Sequence, residues 1–123
     1  MNSVCSVLEF SFMDLESIRK YCLSLPHATE KIQWGNDLLF MIGGKMFTVA
    51  GLDNSTISFK CTPEEFAELT IIPGIQPAAY VARYHWVTVH DHDALRAAEL
   101  KRLIKNSYDL VLAKLPKKVK NSL

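Results

Sequence analysis

His90-Asp91-His92-Asp93 is the densest run of potential metal ligands in the chain. Alternate spacing in an extended segment would put both histidines on one side, an arrangement a metal tolerates. A zinc site needs three or four ligands, however, and neither a CxxC nor an HExxH motif completes the set. Asp91 and Asp93 are better explained as residues that close a turn and cap the helix after it. Cys5, Cys22 and Cys61 are an odd number with no CxxC pair. That usage fits reduced thiols in a cytosolic protein rather than a disulfide framework. Cys22 and Cys61 lie in apolar patterns, where a free cysteine is usually a small buried hydrophobe. Cysteines, serines and His85 supply the atoms of a nucleophile–base pair, but no GxSxG or comparable frame presents them. There is no phosphate loop and no GxGxxG. These absences argue against catalysis, a metal and a cofactor.

Two groups of residues suit binding instead. Tyr80, Arg83, Tyr84, His85 and Trp86 interleave aromatic rings with a base. Such a group can stack on bases or hold a phosphate, and arginine among aromatics also favours protein interfaces. The same residues equally suit packing, with Trp86 and Tyr80 in the core and Arg83 reaching out to water. Trp34, in its Trp34-Gly35-Asn36-Asp37 segment, carries the same ambiguity. The second group is Lys114, Lys117, Lys118 and Lys120. The formal net charge is only +1, yet the last ten residues hold four lysines and no acid, leaving −3 on residues 1–113. A basic tail on a slightly acidic body could dock on phosphate or an acidic partner, or simply keep an exposed end soluble.

The elements that must position these groups fit one domain. The chain has 123 residues, 49% hydrophobic and 22% charged, enough for a core of its own. No stretch approaches the eighteen or so apolar residues of a membrane-spanning helix. Residues 1–12 lack a basic leader and contain Glu9, and read as an N-terminal extension or one short strand. Asp14 caps a helix on which Leu15, Ile18, Cys22 and Leu25 recur at helical spacing until Pro26. A loop spans His27 to Asp37. Leu38–Ile42, Gly43-Gly44 and Lys45–Leu52 form a hairpin, because paired glycines supply the positive φ angles of a primed turn. Thr56–Cys61 is a third strand. Thr62-Pro63-Glu64-Glu65 starts a short helix to about Leu69. Ile71–Pro77 is an irregular loop, and Ala78–Tyr84 a short helix or extended segment. Trp86–His90 alternates as a strand, and a long helix runs from Ala94 to about Leu115 before Pro116. Helices at both ends of an antiparallel meander predict an α+β fold with the helices on one face of the sheet.

Six stretches in order resemble the MmcQ/YjbR family of small bacterial proteins. They are Ile18 through Pro26, Trp34-Gly35-Asn36-Asp37 and Gly43-Gly44-Lys45-Met46-Phe47, then Lys60 through Glu65, Arg83 through Val89, and Ser107 through Val111 running into Ala113 through Lys118. The resemblance spans about Met13 to Lys120. Gln33-Trp34 departs from the aromatic or proline usual before the family's Gly-x-Asp loop, and the segment from Leu69 to Pro77 is shorter than usual. The resemblance implies a CyaY-like, frataxin-like fold and a double-wing DNA-binding motif of hairpins and helices. Iron binding does not carry over, since the first helix offers only Asp14 and Glu16, opposed by Arg19 and Lys20.

The expected function is therefore a cytoplasmic, non-catalytic, monomeric module that binds DNA weakly and without sequence preference. Lys114, Lys117, Lys118 and Lys120 of the tail and the Gly43-Gly44 wing would grip phosphate, with Lys45, Lys60 and Arg83 from the sheet side. The alternative is a protein-interaction or small-ligand domain using Trp34, Asp37, Tyr80, His85 and Trp86. Because no three good ligands converge in the sequence, the thermal midpoint should be the same with and without EDTA. A large fall in EDTA, reversed by zinc or iron, would overturn that expectation.

Overall fold

The computed structural model describes residues 14–53, 55–79, 81–91 and 94–123. The expectations placed on residues 1–12, Tyr80, His92 and Asp93 lie outside the described residues. Helix α1 spans Leu15–Ser24, and its cap is Asp14, whose carboxylate accepts the Ser17 N–H at 2.8 Å. It buries Ile18 and Cys22. Leu25, immediately before Pro26, is already extended, as the proline ring demands of its predecessor.

The next element differs from the sequence expectation. Thr29–Gln33, read as loop, is strand β1. It is an edge strand carrying little buried surface, so its residues show no alternation between apolar and polar. The Arg19 guanidinium and the Glu30 carboxylate, 2.6 Å apart, fasten it to α1. Strands β2 (Asp37–Ile42) and β3 (Lys45–Gly51) form the expected hairpin, with Gly43 and Gly44 at φ 58° and 82°. A side chain at Gly43 would collide with Leu115, whose Cδ1 lies 2.6 Å from an ideal Cβ, and would crowd Val119. Strand β4 is Ile57–Lys60 and helix α2 is Pro63–Leu69. The start of α2 is a capping box, with Thr62 and Glu65 each accepting the other's backbone N–H.

Ile75–Pro77, expected to be irregular, is a short second edge strand, β5. Its proline is tolerated because the strand has a neighbour on one side only. A single 3-10 turn, Ala82–Tyr84, leads into β6 (Trp86–Val89). Helix α3 is Ala97–Ala113. α3 ends before Pro116 as expected, but the lysine-rich end beyond it is helical again: Lys117–Asn121 forms helix α4, with Pro116 at its N-cap.

All neighbours in the sheet are antiparallel, in the order β1-β2-β3-β4-β6-β5. The register aligns Ile32, Leu38, Ala50, Ile57, Val89 and Ile75 in one row across it. Phe40, Thr48, Phe59, Val87 and Pro77 form the adjacent row on the same face. Along with α1, helix α3 closes over that face through Leu100, Leu103, Ile104, Tyr108 and Val111. The Tyr108 hydroxyl donates to the Pro26 carbonyl at 2.7 Å and ties α3 to the end of α1.

The hairpin is not regular. Phe40 faces Thr48 but Met41 faces Met46, so Phe47 is an extra residue on β3. Its ring is fully buried and meets Tyr108 edge-on, with centroids 5.4 Å apart. Beyond Thr48–Phe59, the next opposed pair of β3 and β4 would be Phe47 and Lys60, and there the direct ladder ends. The Ser107 hydroxyl of α3 takes the place of the missing rung. It accepts the Lys60 N–H at 2.9 Å and donates to the Phe47 carbonyl at 2.6 Å. Ser107 is wholly buried.

Thr48, equally buried, is the contrast: its hydroxyl has no hydrogen-bond partner of good geometry, and the polar group beside it is the Cys22 thiol. Ser107→Ala should therefore cost about 1–3 kcal/mol, because it orphans a part-buried N–H and a buried carbonyl. Thr48→Val should leave stability unchanged or raise it by up to about 1 kcal/mol, since it removes a hydroxyl that gains nothing. Urea unfolding of both variants checks the pair, and a harmless Ser107→Ala would mean the rung is not needed.

Candidate functional site

Strand direction sorts the charged residues to opposite ends of the sheet. β3 begins and β4 ends at one end, which also holds the Gly43-Gly44 turn and the entry to β6. Lys45 opens β3 there, Lys60 closes β4, and Arg83 sits in the 3-10 turn just before Trp86, the partner of Lys60. Lys114 caps the C-terminus of α3, while Lys117, Lys118 and Lys120 lie on α4, which is held to the hairpin tip through Val119 and Gly43. The basic residues expected to bind phosphate are thus brought to one end. Asp37, Asp53 and Asp91, with Asp14 and Glu16 at the start of α1, mark the other end.

Within the basic end the side chains differ. Lys120 Nζ donates to the Ala113 carbonyl at 2.9 Å, so this ammonium satisfies the last turn of α3. Lys60 is half-buried, and burial holds its amine below the ordinary lysine range. The Lys114 ammonium beside it pushes in the same direction, by charge repulsion and as a competing donor. Among the described residues, Lys45, Lys60, Arg83, Lys114, Lys117 and Lys118 have no carboxylate within ion-pair distance. The nearest acids in sequence are those of α2. Glu65 is engaged by the Thr62 N–H, by Asn106 at 2.7 Å and by Arg102 at 3.5 Å, whereas Glu64 is exposed.

The residues of the alternative surface do not come together. Trp34, in a left-handed turn and 62% exposed, lies with Asp37 at the acidic end. His85 and Trp86 lie at the basic end, and Trp86 is only 5% exposed. The His85 ring meets Phe66 edge-on, and its carbonyl accepts the Cys61 N–H at 2.9 Å. A shallow hollow of about 210 Å³ at the acidic end lies between Asp14, Leu15, Leu52, Ser55 and Thr56. Burial pushes the thiols of Cys22 and Cys61 up to about 12, so neither is a thiolate near neutral pH. Among the described residues no three of His, Cys, Asp and Glu are grouped to hold a metal ion.

Sequence reasoning did not find the apposition of Lys60 and Lys114, which are 54 positions apart. Within the aromatic–basic cluster named from the sequence, Tyr84 is 49% exposed, with the Arg83 guanidinium 4.9 Å from its ring centroid.

Known proteins resemble this chain in sequence and in fold. The chain is 28% identical over 107 residues to the uncharacterized protein YbdF of Escherichia coli O157:H7, covering 84% of this chain and 88% of that one. The crystal structure of Deinococcus radiodurans protein DR2400, a DUF419 domain, superimposes with a TM-score of 0.80 at 26% identity, over 91% of this chain and 88% of that one. A protein from Pseudomonas syringae shares the fold, with a TM-score of 0.65 at 23% identity over 80% of this chain and 98% of its own. The family model for YjbR matches residues 23–110, which include Lys45, Lys60 and Arg83 and stop short of the lysines from 114 onward. With the match spanning the sheet and most of α3, the chain belongs to the YjbR family.

Proposed function

We propose that this domain binds nucleic acid through the phosphate backbone at its basic end, as a non-catalytic module. The observation that carries the reading is the apposition of Lys60 and Lys114. Half-buried Lys60 lies close enough to the exposed Lys114 for the two ammonium groups to repel, and neither is paired with a described acid. A phosphate between them relieves the repulsion. Lys45, Lys117, Lys118 and Arg83 around that point then extend the contact along a polyanion.

Contacts of this kind position a protein without reading sequence, so binding is non-specific. The net charge of +1 adds little long-range attraction, and affinity is weak and sensitive to salt. One observation favours a second reading, a protein contact: Ile32 and Trp34 at the end of edge strand β1 are each 62% exposed. That surface is at the opposite end from the lysines, so the two readings separate cleanly by mutation.

Changing Lys114, Lys117 and Lys118 to alanine removes up to three ion contacts and leaves in place Lys120, which is tied to α3. On duplex DNA each contact contributes roughly 0.9 to the slope of log affinity against log salt, so the slope should flatten by about two to three. Trp34→Ala should leave the slope alone. Binding that ignores salt and survives the triple change would refute the phosphate mechanism and leave the protein-contact reading in front.

A further inference from the structure

Tyr84 is a large aromatic side chain left half in water at the one end of the sheet where cations gather. Its backbone lies in a closed turn. The turn carrying it is closed by hydrogen bonds from Tyr84 N to the Val81 carbonyl at 3.0 Å and from His85 N to the Ala82 carbonyl at 2.8 Å. His85 then adopts the left-handed conformation, φ 66°, and is fastened to the residue after Lys60 through the Cys61 N–H. The Arg83 guanidinium lies over the Tyr84 ring, 4.9 Å from its centroid, and both side chains are exposed.

We infer that the nucleic acid this site takes is single-stranded, with an unpaired base stacking on Tyr84. This rests on the phosphate-binding reading of the basic end and narrows it. A base stacked within a duplex cannot leave its neighbours for a protein ring without unpairing, whereas a single strand offers its π faces freely. An exposed ring at the same end of the sheet as a group of lysines is the combination that sequence-independent single-strand binding uses: cations follow the backbone while aromatics take the bases. Arg83, whose guanidinium lies 4.9 Å from the ring centroid, adds a charge for the flanking phosphate. Base–aromatic stacking is tolerant of sequence, in keeping with phosphate contacts that read none.

The test is fluorescence anisotropy at fixed salt. It compares an end-labelled oligothymidylate about twenty nucleotides long, more than one such site occupies, with a duplex of equal length. The folded wild type should bind the single strand more tightly than the duplex. Tyr84→Leu should weaken single-strand binding by roughly five- to a hundredfold, the equivalent of losing one stacked base, with duplex affinity and salt slope unchanged. Tyr84→Phe, which keeps the ring, should bind as wild type does. Equal binding by wild type and Tyr84→Leu, or a preference for duplex, would overturn the inference. If the lysine variant loses both ligands but Tyr84→Leu loses neither, only the single-strand inference fails. If the lysine variant keeps both, the phosphate reading fails with it.

Discussion

Ser107 stands where helix α3 crosses the bulged part of the hairpin, and its hydroxyl completes a rung that strands β3 and β4 cannot make themselves. Every buried amide and carbonyl must find a partner, and a bulge necessarily leaves some without one. Here the partner comes from a helix, so the sheet defect fixes the helix along its axis as well as against the face. The position of α3 then follows: Tyr108 packs on Phe47 one residue further on, and the helix ends where Lys114 meets Lys60. The candidate site is built from this single registration. Move α3 by one turn and the lysine pair is gone.

The lysines around the end of α3 have a simpler partial explanation. The last turn of a helix carries unsatisfied carbonyls and a partial negative charge, which cations offset by about 0.3–1 kcal/mol each at the surface. Lys120 does this directly through the Ala113 carbonyl. The same argument does not account for Lys60, which belongs to a strand, is partly desolvated and is opposed by a like charge. Helix-end electrostatics and packing therefore leave the position of Lys60 beside Lys114 without an account of their own.

How much of this was legible in the sequence depends on whether the signal is local. The hairpin was, because two glycines and two apolar runs specify it within fifteen residues. The α2 cap was too, since Thr62 and Glu65 satisfy each other three positions apart. Edge strands β1 and β5 were not, because an element buried on neither or only part of one face leaves no periodic trace. Pro116 was read as an end and is also a beginning, a role only its neighbours in space decide. The basic residues could be named one by one. That Lys60 lies against Lys114, and that Trp34 and Trp86 sit at opposite ends, are consequences of strand direction and helix registration.

Gly43 and Gly44 look interchangeable in the sequence, and both have positive φ, but they face different surroundings. Next to Gly44 there is open space, while at Gly43 the Leu115 and Val119 side chains already fill the volume a Cβ would take. Evolutionary drift should therefore treat the two unequally. Asparagine or aspartate, which tolerate left-handed backbone, can enter at position 44 at modest cost. A side chain at position 43 requires Leu115 or Val119 to shift or change with it, which ties these three positions together where the hairpin meets the C-terminal helix.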